Sequence, residues 1–202
     1  MHRVLALATA GVLALALAGC GKSEQAAQNA AQPAAAPATA ATTANGQPLG
    51  DKGRAFIAEA TGDDAFEIAL GRMALEKSST DQMHELAQRM VDDHTRMQRE
   101  LAAITGRDVA DGAASAIPND KALQLRNHLA PLQGDAFRKA FVDVTIRNYH
   151  LSVALFADEA KTGYSKALRE YARKQLPALR EHLAMAQAML DAATPSTSQS
   201  GA

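Results

Sequence analysis

Residues 83–104 read MHELAQRMVDDHTRMQRELAAI, and their spacing decides the fold class. Met83, Ala87, Met90, His94, Met97, Leu101 and Ile104 recur at alternating steps of four and three. That is the signature of one face of an α-helix. Upstream, Ser79-Thr80-Asp81-Gln82 fits a capping box, with a hydroxyl residue at the cap and Gln three places later. Downstream, Gly106 is a natural stop. The spacing therefore predicts a helix over about 80–105.

The same 3.6-residue period appears on both sides. A first helix is expected over 51–77, with a weak spot at Gly62. After Gly106 a loop leads to Pro118, and a short helix over about 119–130 ends before Pro131. Gly134-Asp135 opens a third long helix that ends near Gly163. Ser165 can cap a fourth, which continues to about Ala193 and is closed by Pro195. Nothing alternates with period two over a useful length. Short connections make the first and last pairs antiparallel neighbours. The middle connection is long and carries the short helix. The expected fold is all-α: an up-down four-helix bundle with one short extra helix between its second and third long helices.

Polar residues on the apolar stripes are the candidate site. His94 sits mid-stripe in the second helix, and His182 sits on the stripe Leu168, Ala172, Gln175, Leu179, His182, Ala186, Met189 of the fourth. In the first helix Glu67 shares a face with Phe56, Ala60, Leu70 and Ala74, and Gly71 one turn later admits a close neighbour. At 100° per residue, Val142, Ile146, Tyr149, Val153, Phe156 and Ala160 form one arc of the third helix. Phe137, Phe141, Val144, Asn148, Leu151 and Leu155 form a second arc beside it. His150 falls with Lys139, Asp143 and Arg147, so Tyr149 is expected inside and His150 in water. At 1.5 Å per residue, Glu67, His94 and Tyr149 lie roughly 17–23 Å from the helix turns and His182 roughly 29 Å. Pro177 is expected to kink the fourth helix and blur the last figure. The four side chains are expected to approach one another mid-bundle.

Phe66-Glu67-Ile68-Ala69-Leu70-Gly71, Met90-Val91-Asp92-Asp93-His94-Thr95 and Leu176-Pro177-Ala178-Leu179-Arg180-Glu181-His182-Leu183 carry a resemblance to the bacterial domain-of-unknown-function family 4142. It covers nearly all of residues 51–193. It implies a ferritin-like helical bundle, exported and often lipid-anchored, and no established reaction. Aligning Val153-Ala154-Leu155-Phe156 puts Tyr149 where the resemblance implies a histidine, with His150 one residue off.

The chain of 202 residues has one cysteine, and Leu17-Ala18-Gly19-Cys20 resembles the lipobox of a bacterial lipoprotein signal. Residues 1–19 have a basic start, an apolar run too short to span a bilayer, and small residues at the cleavage point. Cys20 is then the lipidated residue, which consumes the thiol. Gly21 and Lys22 follow, with no aspartate to suggest inner-membrane retention, so the outer membrane is favoured. Residues 20–50 read as the lipidated cysteine and a disordered Ala/Pro/Gln linker spanning on the order of 30 Å. Residues 51–193 read as the bundle domain, and 194–202 as a disordered tail. The expected address is the periplasmic face of the envelope, with the membrane as partner through the anchor.

Formal charge is −1, which gives no electrostatic case for nucleic acid or anionic lipid. The mature chain lacks a nucleophile elbow, a phosphate loop and a His-Glu-x-x-His motif. Two readings of the polar cluster stand. In one, Glu67, His94 and His182 hold a single Fe, Zn or Mn ion, with Tyr149, Asp93 or water completing its shell. The Glu-x-x-His pattern of di-iron bundles is absent, because Val91 and Leu179 stand three before the histidines. Met83, Met90 and Met97 have the spacing of core packing, not of a copper site. In the other reading the polar groups satisfy one another, and the protein is a non-catalytic envelope interaction or stress-related module.

Overall fold

The computed structural model describes residues 42–106 and 117–193. The expected signal, Cys20, the expected linker up to residue 41, and the expected tail from 194 lie outside the described residues. The described chain is all-helical. Four long helices, α1 (Gly50–Lys77), α2 (Asp81–Thr105), α4 (Gly134–Thr162) and α5 (Lys166–Ala193), run to within a residue or two of the expected bounds. The short helix is α3 (Asn119–Gln124), and it continues as a π-helical turn over Leu125–Leu129. α1 packs on α2, α2 on α5, α5 on α4 and α4 on α1, which closes a ring of neighbours.

The helix ends follow local chemistry. Thr80 caps α2, its hydroxyl accepting from the Met83 N–H at 3.2 Å. The cap is thus one residue later than the Ser79-to-Gln82 box anticipates. Gly106 ends α2 in the left-handed region at φ 64°, where a side chain would be strained. The Ser165 hydroxyl faces the Leu168 N–H at the start of α5. Gly62 does not break α1. It gives the room that Pro118 fills, since a Cβ there would lie 2.9 Å from the Pro118 ring.

The stripes of α2 and α5 are buried as expected, with only Ile104 partly exposed. In α4 the first arc is buried or half-buried. The second arc holds except at Leu151, which is 70% exposed. Tyr149 is fully buried and His150 is exposed. The middle of α1 departs from a simple stripe: residues 62–68 are buried all round. The outer side of that segment is covered by the crossover, through Pro118 on Gly62 and Lys121 on Asp63. Lys77 ties the far end of the crossover, donating to the carbonyls of Ala130 and Leu132 at 2.8 and 2.9 Å.

The folded part begins before residue 51. Thr42 pairs with Pro48, the Thr43 N–H donates to Gln47 O at 2.8 Å, and the Ala44 N–H donates to Ile104 O at 2.8 Å. Thr43 and Leu49 are buried. This small hairpin fastens residues 42–49 to the end of α2, so that stretch, expected to be linker, belongs to the folded part. Among the described residues, no helix is long and apolar enough to cross a membrane.

Candidate functional site

The expected mid-bundle meeting takes place through hydrogen bonds. His94 Nδ1 lies 2.8 Å from Asp64 Oδ1, and His94 Nε2 lies 3.0 Å from the Tyr149 hydroxyl. The same hydroxyl lies 3.0 Å from His182 Nδ1, and His182 Nε2 lies 3.0 Å from Asp93 Oδ2. Asp93 in turn accepts from Arg96 at 2.7 Å near the surface. One chain of contacts therefore runs from α1 through α2, α4 and α5 and back to α2. Asp64, His94, Tyr149 and His182 are essentially withdrawn from water.

A proton count constrains this chain. Four hydrogen bonds join Asp64, His94, Tyr149, His182 and Asp93, and each needs one proton. A phenol and two neutral imidazoles bring three, and ionised carboxylates bring none. Full satisfaction thus requires one extra proton, held on an imidazole or on Asp64. One assignment makes His94 the cation, donating to both sides. It donates from Nδ1 to Asp64 and from Nε2 to Tyr149. Tyr149 donates to His182 Nδ1, and His182 donates from Nε2 to Asp93.

The electrostatics favour that assignment. Burial works against a charged His94, but the hydrogen bond and charge of Asp64, with the charges of Glu67 and Asp63, outweigh it and leave its pKa raised. Burial and the neighbouring His94 charge push His182 down to about 4, against the pull of Asp93. Burial pushes Asp64 up to about 6 even against the pull of His94. Burial and the carboxylates at Glu67 and Asp63 hold the Tyr149 phenol well above its ordinary value. For Asp93, burial is outweighed by Arg96 and His182, so it stays ionised.

A second cluster adjoins the first. Asp63 accepts from Lys121 of α3, from Asn148 Nδ2 at 2.7 Å and from the Ser152 hydroxyl. Asn148 also donates to Glu67 Oε1 and accepts from Lys121 at 2.9 Å. Glu67 is fully buried, and burial raises it to about 7, with His94 opposing and Asp63 adding to the shift. Asp64 Oδ2 and Glu67 Oε2 are buried with no hydrogen-bond partner.

His94, Tyr149 and His182 thus meet directly, and Asp93 joins them through His182. Glu67 comes in through Asn148. Asp63, Asp64, Lys121 and Ser152 belong to the site and were not anticipated. The available signal was position: Asp63 and Asp64 lie one helical turn before Glu67 and so share its side of α1. His84 and His128 are exposed and stand apart.

The fit to a metal ion is poor in this arrangement. Both ring nitrogens of His94 and of His182 are engaged by side-chain partners, which leaves no imidazole lone pair free. Among the described residues, no group of three or more His, Cys, Asp and Glu side chains is placed to hold a metal ion.

The family model described as "Domain of unknown function (DUF4142)" matches residues 34–189, and the chain belongs to this family. No curated protein and no solved structure matches it.

Proposed function

We propose that this member of the family is a lipid-anchored protein of the bacterial envelope, held through Cys20 on the periplasmic face, at the outer membrane. Its ferritin-like four-helix bundle serves as a non-catalytic interaction or stress-related module. The single observation that carries the non-metal reading is that His94, Tyr149 and His182 spend their polar atoms on one another and on Asp64 and Asp93. A closed network of this kind fixes helix register without any ligand. The Leu17-Ala18-Gly19-Cys20 motif supports the anchor.

The test has two arms. Metal content is measured on the full chain, purified from membranes without affinity tag or chelator, and thermal unfolding is followed with added iron, zinc and manganese. An empty protein with an unchanged midpoint is expected. Stoichiometric metal lost on His182→Ala would overturn the reading. Separately, Cys20→Ser is expected to leave the membrane fraction, and a lipid-modified, membrane-bound form of that variant would defeat the anchor.

One observation favours a second reading, a ferritin-like metal-binding protein with a mid-bundle Glu/His site. The unpartnered Asp64 Oδ2 and Glu67 Oε2 leave acceptor capacity inside the bundle. An ordered water meets that capacity most simply. An ion would in addition require His94 to release Asp64 or Tyr149.

A further inference from the structure

The fold determines from which end of the bundle the tether departs. In the up-down arrangement α1 and α5 begin, and α2 and α4 end, at one common end. A Cβ on Gly53 would meet Leu168 and Leu49, and the Phe56 ring packs edge-on against Phe156 and Tyr171, so these termini are side by side. The hairpin at 42–49 is fastened to the same end through Ala44 and Ile104. Thr42, the first described residue, therefore stands at that end.

The tip of that end carries an exposed aromatic side chain. Tyr164 lies in the turn between α4 and α5 and is 72% exposed. Lys161 and Lys166 flank it and are exposed, and Lys52 is exposed at the adjacent start of α1. A lone exposed aromatic is ordinary on a protein surface. A tyrosine beside lysines, on the surface nearest a lipid tether, matches the residues that settle at membrane–water interfaces. The lysine stems can lie along the same surface with their ammonium groups in the headgroup layer.

Lengths point the same way. From Cys20 to Thr42 is a stretch of Ala-, Gln-, Thr- and Pro-rich sequence. α1, with 28 residues, is about 42 Å long. Thr42 stands at the near end, and the far end lies a full helix length beyond it.

We propose that the end formed by the 42–49 hairpin and the α4–α5 turn rests on the lipid surface, with Tyr164 seated at the membrane–water interface. The inference rests on Cys20 being the lipidated residue. The occupant of this surface is the bilayer itself, and the opposite end, with Leu190, is the one presented to the periplasm.

The chain has no tryptophan, so a single introduced one reports its own surroundings. Tyr164→Trp and, separately, Leu190→Trp are made in the full lipidated chain. Both positions are exposed, at 72% and 50%, so neither change disturbs the core. Each protein is placed in vesicles of phosphatidylethanolamine and phosphatidylglycerol with brominated acyl chains, and flotation is read alongside fluorescence. The expected result is flotation of both, with blue-shifted and quenched emission at position 164 and unquenched emission at 190. Flotation with position 164 unquenched would overturn the docking inference while leaving the anchor standing, and would assign this end to something other than lipid. Equal quenching at both positions would also overturn it, because the bundle would then lie on its side. Failure to float would remove the anchor and this inference with it.

Discussion

His94 Nδ1 lies 2.8 Å from Asp64 Oδ1, and both side chains are all but excluded from water. Burying one of these charges alone would be costly, and each provides the hydrogen bond and counter-charge the other needs. The rest of the network follows from this pair. Once His94 gives Nδ1 to Asp64, its other nitrogen fixes Tyr149, and Tyr149 fixes His182.

His94→Ala leaves Asp64 buried without its partner. The expected loss is about 3–5 kcal/mol in urea unfolding at neutral pH. His150→Ala, one residue from Tyr149 but exposed, is expected to change stability by no more than about 0.5 kcal/mol. Equal effects of the two substitutions would remove the inward assignment.

Glu67 gives a pH signature. Its pKa is 4.5 when exposed and about 7 in the bundle, with burial as the main cause. The native state therefore keeps a proton that the unfolded chain gives up. The resulting stability is fully present below 4.5 and lost as pH rises through about 7, an effect of ~3 kcal/mol. Glu67→Gln keeps the neutral shape at all pH values. It is expected to match the parent near pH 4 and to exceed it at pH 8. His182 runs the opposite way: with its pKa lowered to about 4, it costs stability as pH falls below 6.5. Superimposable stability–pH curves for parent and Glu67→Gln would show that Glu67 does not titrate in this range.

Lys121 provides the counter-charge that the crossover brings to Asp63. The lysine is about a quarter exposed, so solvent already screens part of the interaction. Lys121→Met keeps the apolar stem and removes the ammonium, and a loss of about 2 kcal/mol is expected. Amide exchange over residues 119–129 is expected to speed up more than exchange in α2. Unchanged exchange in the crossover would mean that Lys121 does not hold it down.

Gly71 lies where α1 and α2 approach most closely. A Cβ there would sit 2.9 Å from the Ala87 carbonyl oxygen and from a Val91 methyl. Gly71→Ala is expected to cost about 1–3 kcal/mol by overpacking, although alanine is the better helix former. A stabilised variant, seen as a raised thermal midpoint, would contradict the close approach.

Much of this was legible before any coordinates. The four-and-three spacing of Met83 to Ile104 is a property of one helix face and needs no partner to be read. The wheel of α4 separates Tyr149 from His150 by 100°, enough to send one inward and the other to water. Gly71 was legible as a close approach for the same reason. The acidic half of the site was not legible. Asp63 and Asp64 drew no reading of their own, because a stripe calculation treats a helix as having one covered face. Residues 62–68 are covered on all sides by a crossover that comes from far along the chain, and Lys121, which neutralises Asp63, is 58 residues away in sequence. Leu151 errs the other way: it lies on an apolar arc, but no neighbouring helix reaches it.

The most direct test of the network is its proton inventory. Nitrogen-15 NMR of histidine-labelled protein at neutral pH reports which ring nitrogens carry hydrogen. Two N–H signals are expected for His94, and one for His182, on Nε2. A neutral His94 would move the extra proton to Asp64 or His182, whereas histidine resonances that shift when the protein is treated with a chelator would contradict the closed, metal-free network.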